Sequence, residues 1–176
     1  MATDDPGERS NAIVIVGGGA GGLELACKLG RRLGAERVTL VDQQLFHIWK
    51  PTLHEVAAGT LDIHQEGLSY EMLAHDNGFR FVYGPLVALD AARRSIGVGA
   101  IHDESGEELL PVRELGYDRL VLALGSTSRY FGVPGAPEHT LSLNDPASAE
   151  QFRLRMLKLL AAADMRKQRD GAASVD

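Results

Sequence analysis

Residues Ile13-Val14-Ile15-Val16-Gly17-Gly18-Gly19-Ala20-Gly21-Gly22, with Val38-Thr39-Leu40-Val41-Asp42 downstream, decide the fold. An apolar strand runs into a glycine-rich turn, a helix-like stretch follows, and an acid closes the next apolar strand. This is the pattern of a dinucleotide-binding βαβ unit, in which each glycine has a separate task. Gly17 allows the tight turn out of the strand, Gly19 lets backbone approach a pyrophosphate, and Gly22 brings helix and strand close together. The helix opening near Gly19 or Ala20 aims unpaired N–H groups and the positive end of its dipole at phosphate. Asp42 is placed to accept hydrogen bonds from a ribose diol, at the required spacing of about 20 residues past the last glycine. With 20 glycines in 176 residues the bare glycine spacing is a weak signal. The strands, the helix and the acid around it give it meaning.

Bulk properties narrow the partners. A chain of this length buries roughly 70% of its unfolded surface as one domain. The net charge of −6 supplies no basic field for nucleic acid, and Lys and Arg are scattered apart from Arg166-Lys167-Gln168-Arg169. The first ten residues lack a basic leader, and no apolar run approaches the roughly 18 residues of a spanning helix. The expectation is a cytoplasmic protein without a membrane anchor of its own. Cys27 is the only cysteine, so no disulfide, CxxC pair or thiolate metal site forms within one chain; it is expected to pack inside the first helix. Six histidines include no HExxH, and no metal site is expected.

Three regions are expected: a disordered terminus at 1–10, the dinucleotide-binding region at 11–145, and a helix with a polar tail at 146–176. Within the second, strands are expected at Ala12 to Val16 and Arg37 to Val41, the latter with helices on both faces. The helix between them, about Gly21 to Leu33, turns Leu23, Ala26, Leu29 or Gly30, and Leu33 to the sheet, and Gly34 stops it. Phe46 to Gly59 reads as a loop entering a short helix, with Pro51 at its start and Gly59 past its end. Phe79 to Tyr83, Pro85 to Leu89 and Ser95 to Ile101 read as short strands of an antiparallel meander, punctuated by Gly84 and by Asp103 to Gly106. Arg119 to Leu124 reads as a buried strand that rejoins the parallel sheet. The last helix, about Ala147 to Met165, has Asp145 as N-cap and Pro146 first, with Ala149, Phe152, Met156, Leu159 or Leu160, and Ala163 on one face.

The glycine turn through Ala26, then His47-Ile48-Trp49-Lys50-Pro51-Thr52-Leu53-His54-Glu55-Val56-Ala57-Ala58-Gly59, then Tyr117-Asp118-Arg119-Leu120-Val121-Leu122-Ala123-Leu124-Gly125-Ser126, together resemble the amino-terminal part of type II NADH:quinone oxidoreductases. These non-proton-pumping NADH dehydrogenases belong to the pyridine nucleotide-disulfide oxidoreductase superfamily. The resemblance runs from about Asn11 to Phe152 and implies a Rossmann-like α/β fold with a parallel sheet and a small antiparallel meander. It also implies that the turn at Gly17, Gly19, Ala20, Gly21 and Gly22 takes FAD, with Asp42 on its adenosine ribose. Lys50, Pro51 and Thr52 would lie beside the flavin, Val82 would contact the adenine, and Ala123-Leu124-Gly125 would pass close to the pyrophosphate and ribityl chain. A cation at Lys50 suits negative charge on a reduced cofactor; a solvated surface lysine is the plainer alternative.

The resemblance further implies NADH as co-substrate, quinone as acceptor, and peripheral association with the cytoplasmic face of a membrane through regions beyond Asp176; it leaves a homodimer open. The chain would correspond to roughly the first two fifths of such an enzyme, ahead of the NADH-binding insertion. No residue stands out as a catalytic acid, base or nucleophile. His54 and Glu55 are read as structural before catalytic, and Glu24 as a dipole-stabilising or solvated residue. Relatives that rely on a redox cysteine pair are disfavoured, because His47 to Gly59 contains no cysteine. A non-catalytic nucleotide-binding module or subunit, and another FAD-dependent oxidoreductase, stand as the alternatives.

Overall fold

The computed structural model describes residues 11–62 and 67–172, with side chains through Arg169; the expected disordered terminus at 1–10 lies outside them. The described residues divide into two compact units, one of residues 11–47 and 67–125, the other of residues 48–62 and 126–172.

The first unit is built on β1 (Ile13–Val16), α1 (Ala20–Leu33) and β2 (Val38–Asp42). After them come β3 (Phe46–His47), and then, past the segment belonging to the second unit, β4 (Leu68–Ser69) and the helix Tyr70–Asn77. That helix is capped by Ser69, whose hydroxyl accepts from Met72 N, and is stopped by left-handed Gly78. Strands β5 (Arg80–Tyr83), β6 (Leu86–Asp90), β7 (Ser95–Val98), β8 (Ile101–His102), β9 (Glu108–Leu110), β10 (Arg113–Gly116) and β11 (Arg119–Leu122) complete it.

Four strands form a parallel sheet in the order β11-β1-β2-β5. The expected meander therefore loses its first strand: Arg80 to Tyr83 joins the parallel sheet beside β2. The antiparallel order is β10-β7-β6, with a separate β8-β9 hairpin. Strand alternation sends side chains to two cores. Ile13, Ile15, Val38, Leu40 and Phe81 face α1 and the helix Tyr70–Asn77, against Leu23, Ala26, Tyr70 and Ala74. Val14, Val16 and Val41 face the other way, onto Ile96 and Val98 of β7 and Leu115 of β10.

This corrects the expectation of helices on both faces, since the second face of β1 and β2 is covered by the antiparallel sheet. Each fully buried aliphatic side chain here, such as Ile15, Leu40 or Val41, contributes about 1.5–3 kcal/mol. Cys27 packs partly buried against the first core, and burial raises its thiol pKa. On α1 the buried positions are Gly22, Leu23, Ala26 and Gly30, with Leu29 packed partly buried against the same core, while Leu33 is 38% exposed. Strand β11 is also more exposed than expected, with Leu122 at 49%, because it lies at an edge of the sheet.

The second unit begins with a single 3₁₀ turn, Lys50–Thr52, which carries Pro51 and leads into Leu53–Ala58, a short helix ended by left-handed Gly59. In chain order the helices are α2 (Leu53–Ala58), α3 (Tyr70–Asn77 of the first unit), α4 (Ala136–His139) and α5 (Pro146–Ala172). Asp145 caps α5 as expected, its Oδ1 accepting from Ser148 N at 2.8 Å. Leu53, Val56 and Ala57 of α2 bury Ala149 of α5 and pack beside Phe152. Met156, Leu159 and Leu160 do not continue that face; all three are exposed. The helix also runs past Met165 into the stretch read as a polar tail.

Candidate functional site

The carboxyl ends of β1 and its neighbours carry the site, at the point where successive strands depart to opposite sides of β1. Backbone bonds extend the ladder just past the strands: Gly17 N donates to Val41 O at 2.8 Å, and Ala123 N to Val16 O at 2.8 Å. Gly17 has φ +103°, and a Cβ there would lie 2.3 Å from the Ala123 carbonyl oxygen. On Gly22 a Cβ would lie 1.9 Å from Gly17 O. Both positions thus require glycine for the reasons the motif gives. Gly19 and Gly21 behave differently, since a Cβ on either would meet nothing within 4 Å. Open space borders the start of α1, no side chain caps it, and no acid lies in its first turn.

Asp42 faces this turn. Its Oδ2 accepts from Gly18 N at 2.5 Å and its Oδ1 from Gln44 N at 2.8 Å. Each carboxylate oxygen keeps further acceptor capacity, so the group is fixed in direction without being used up. Beside it lies a cleft of about 260 Å³, lined by Val16, Gly17, Val41, Asp42 and Gln43 on one side and by Gly84, Pro85, Leu86 and Leu124 on the other. That volume suits a nucleoside and falls below the range of a site enclosing a whole drug-sized ligand. The open turn, the uncapped helix and the aimed carboxylate fit the adenylate half of a dinucleotide.

Of the residues singled out from sequence, Gly17, Gly19, Ala20, Gly21, Gly22, Asp42, Ala123 and Leu124 come together here; Gly125 follows at φ +76°. Val82 packs, partly buried, into the core with Val16 and Val41, and the residues that follow its strand, Gly84, Pro85 and Leu86, line the cleft. Lys50, Pro51 and Thr52 belong to the second unit. There Lys50 Nζ donates to Ser126 O at 3.2 Å and Thr52 Oγ1 to Trp49 O at 2.7 Å. His54 is exposed, 3.9 Å from Glu55 Oε1, and Glu24 pairs with Lys28 on the solvent side of α1.

Three residues of the site escape a reading of the motif. Gly18 has no room for a side chain, since a Cβ would lie 2.5 Å from the Tyr70 ring. The Tyr70 hydroxyl donates to Gly18 O at 2.7 Å, and His47 Nδ1 lies 3.0 Å from the same oxygen. Burial first, and the Asp42 carboxylate second, push the Tyr70 phenol well above its ordinary pKa, so it remains a donor. The helix signals Ser69 and Gly78 around Tyr70 were present in the sequence; nothing there pairs the ring with Gly18.

Sheet order, glycine turn and acid together define a dinucleotide-binding α/β unit. The chain belongs to the pyridine nucleotide-disulphide oxidoreductase family, whose model matches residues 11–167. It is 37% identical over 150 residues to a type II NADH:quinone oxidoreductase of Haemophilus influenzae, an alignment covering 84% of this chain and 34% of that one. It thus spans about a third of that relative's length. Among solved structures, NDH2 from Plasmodium falciparum in complex with RYL-552 is similar with a TM-score of 0.70 at 20% identity, covering 89% of this chain and 30% of that one. The sulfide:quinone oxidoreductase of Aquifex aeolicus gives 0.67 at 21% identity, covering 86% and 33%. At these identities the two likenesses concern fold. Among the described residues no helix is long and apolar enough to cross a membrane, and no group of His, Cys, Asp and Glu is arranged to hold a metal ion.

Proposed function

We propose that this chain is the FAD-binding amino-terminal portion of an NADH:quinone oxidoreductase. The observation that carries the reading is the Asp42 carboxylate, held by Gly18 N and Gln44 N beside an open glycine turn. The relative in Haemophilus influenzae supports the choice of reaction. FAD would supply the redox chemistry, accepting hydride from NADH and passing electrons to quinone. The chain's own residues bind and orient. The amides at the opening of α1 receive the diphosphate, Asp42 receives the adenosine ribose, and Gly84 to Leu86 with Leu124 enclose the nucleoside. Ala123 and Gly125 are proposed along the pyrophosphate and ribityl chain, and Lys50, Pro51 and Thr52 beside the flavin, on the resemblance alone. NADH and quinone are proposed as partners of the complete enzyme, at the cytoplasmic face of a membrane.

The test is direct. The chain purified with added FAD is expected to keep the flavin absorption bands after desalting; a colourless protein overturns the reading. Asp42→Ala is expected to weaken FAD binding by about 1–3 kcal/mol through lost charge-assisted hydrogen bonds, measured by flavin fluorescence titration. For the reaction, the chain joined to the remaining two thirds of the Haemophilus influenzae relative is expected to oxidise NADH with a quinone acceptor. Flavin retention without any NADH oxidation by that hybrid would favour a non-catalytic nucleotide-binding module.

A further inference from the structure

The carbonyl oxygen of Gly18 accepts twice, from Tyr70 Oη at 2.7 Å and from His47 Nδ1 at 3.0 Å. A carbonyl offers only lone pairs, so this geometry places the His47 proton on Nδ1. The N–H of the same residue is held by Asp42 Oδ2. Gly18 is therefore fixed at both ends. In a trans peptide the carbonyl and the following N–H point in opposite directions. Drawing the Gly18 carbonyl inward onto Tyr70 and His47 therefore turns the Gly19 N–H away from them, and space around Gly19 is open.

Three further features support this use of the two side chains. His47 ends β3, whose antiparallel partner strand β4 leads through the cap residue Ser69 directly to Tyr70, so one two-stranded ribbon carries both donors. The Tyr70 ring stacks on Phe81 at 5.0 Å and meets the edge of His47 at 6.1 Å, which fixes where its hydroxyl points. Only glycine at position 18 lets that ring reach the carbonyl.

We propose that Tyr70 and His47 are positioning residues of the glycine turn, acting through the Gly18 to Gly19 peptide to aim the Gly19 N–H at the phosphates of a bound nucleotide. The inference rests on the nucleotide-binding reading and deepens it by naming what sets the turn's direction. It separates phosphate recognition, which depends on the pair, from nucleoside recognition, which depends on Asp42 and the cleft.

The test is an NMR titration of the isotope-labelled full chain with ADP and, separately, adenosine. Tyr70→Phe keeps the stack on Phe81 and removes only the hydroxyl, and His47→Ala removes the second donor. Each is expected to weaken ADP binding about two- to tenfold, the worth of one hydrogen bond, and to leave adenosine binding unchanged. His47→Asn sets an amide nitrogen near the place of Nδ1 and is expected to recover most of the loss. Equal weakening toward ADP and adenosine would make the pair ordinary packing residues and overturn the proposal. Unchanged ADP binding in the variants would overturn it too. If Tyr70→Phe does not fold, the His47 pair decides by the same criteria. An unaltered chain that binds neither ADP nor FAD would bring down the nucleotide-binding reading, and this inference with it.

Discussion

Adjacent glycines in one turn answer to different forces, and substitutions separate them. A methyl group on Gly22 would meet the Gly17 carbonyl at 1.9 Å, and both partners are backbone, so neither yields cheaply. Gly22→Ala is expected to cost about 3 kcal/mol or more of stability, read as a lowered urea midpoint. Gly19, at φ −62° and facing open space, accepts a side chain without strain. Gly19→Val is expected to keep the unfolding free energy from urea titration within about 0.5 kcal/mol while abolishing FAD retention, because the new side chain fills the space a diphosphate needs. The roles of Gly17 and Gly22 were legible because they concern the turn's own backbone. That of Gly18 was not, since the ring that enforces it comes from 52 residues away. Tyr70 also carries a pH signature. Its folded pKa is raised above the ordinary 10.0, so folding favours the protonated phenol, and that contribution is whole below about pH 10 and declines as pH rises beyond it. Alkaline stability profiles of the chain and of Tyr70→Phe are expected to diverge above that point, the variant falling less steeply.

At the scale of elements, β1, α1, β2 and α5 were legible in outline because each has a strong period and a clear cap or stop. Helix α3 was not, although Ser69 and Gly78 bracket it. Its three buried positions are Tyr70, Ala74 and Asn77, so the inner face includes a polar amide and shows no apolar stripe. Asn77 Nδ2 donates back to Leu73 O at 2.7 Å, while its Oδ1 is buried without a hydrogen-bond partner among the described residues. The nature of β5 was hidden for a related reason: a short apolar run does not reveal whether its neighbour runs parallel or antiparallel. Where α1 meets the end of α3 at Gly30, the approach is backbone on backbone. A Cβ on Gly30 would lie 2.5 Å from Asn77 O and 2.9 Å from the Gly78 carbonyl. Gly30→Ala gains helix propensity of about 1 kcal/mol on the isolated helix, yet it must push the two helices apart. The clash is expected to win, with a net loss of about 1–3 kcal/mol and an unchanged denaturant slope. A stabilised Gly30→Ala variant would show that α1 and α3 do not approach so closely.

For the whole molecule, the β11-β1-β2 part of the sheet follows from the βαβ turn and the returning strand, which is why fold class was legible in the sequence. An exposed sheet edge was expected, but which strand forms it was not readable, because Leu120-Val121-Leu122 looks the same in sequence whether or not another strand covers it. In the structure β11 closes the sheet on one side with Leu122 at 49% exposure, and a parallel edge strand offers unpaired N–H and C=O groups to another chain. Concentration-dependent self-association is the expected consequence, visible by sedimentation velocity. Leu122→Lys places a charge on that edge and is expected to shift the population toward monomer while leaving the thermal midpoint nearly unchanged. The substitution also moves the net charge of −6 one unit toward zero, which by general electrostatics favours association. A gain in monomer would therefore come from blocking the edge and not from charge repulsion, and an unaltered association constant would place the contact elsewhere on the surface.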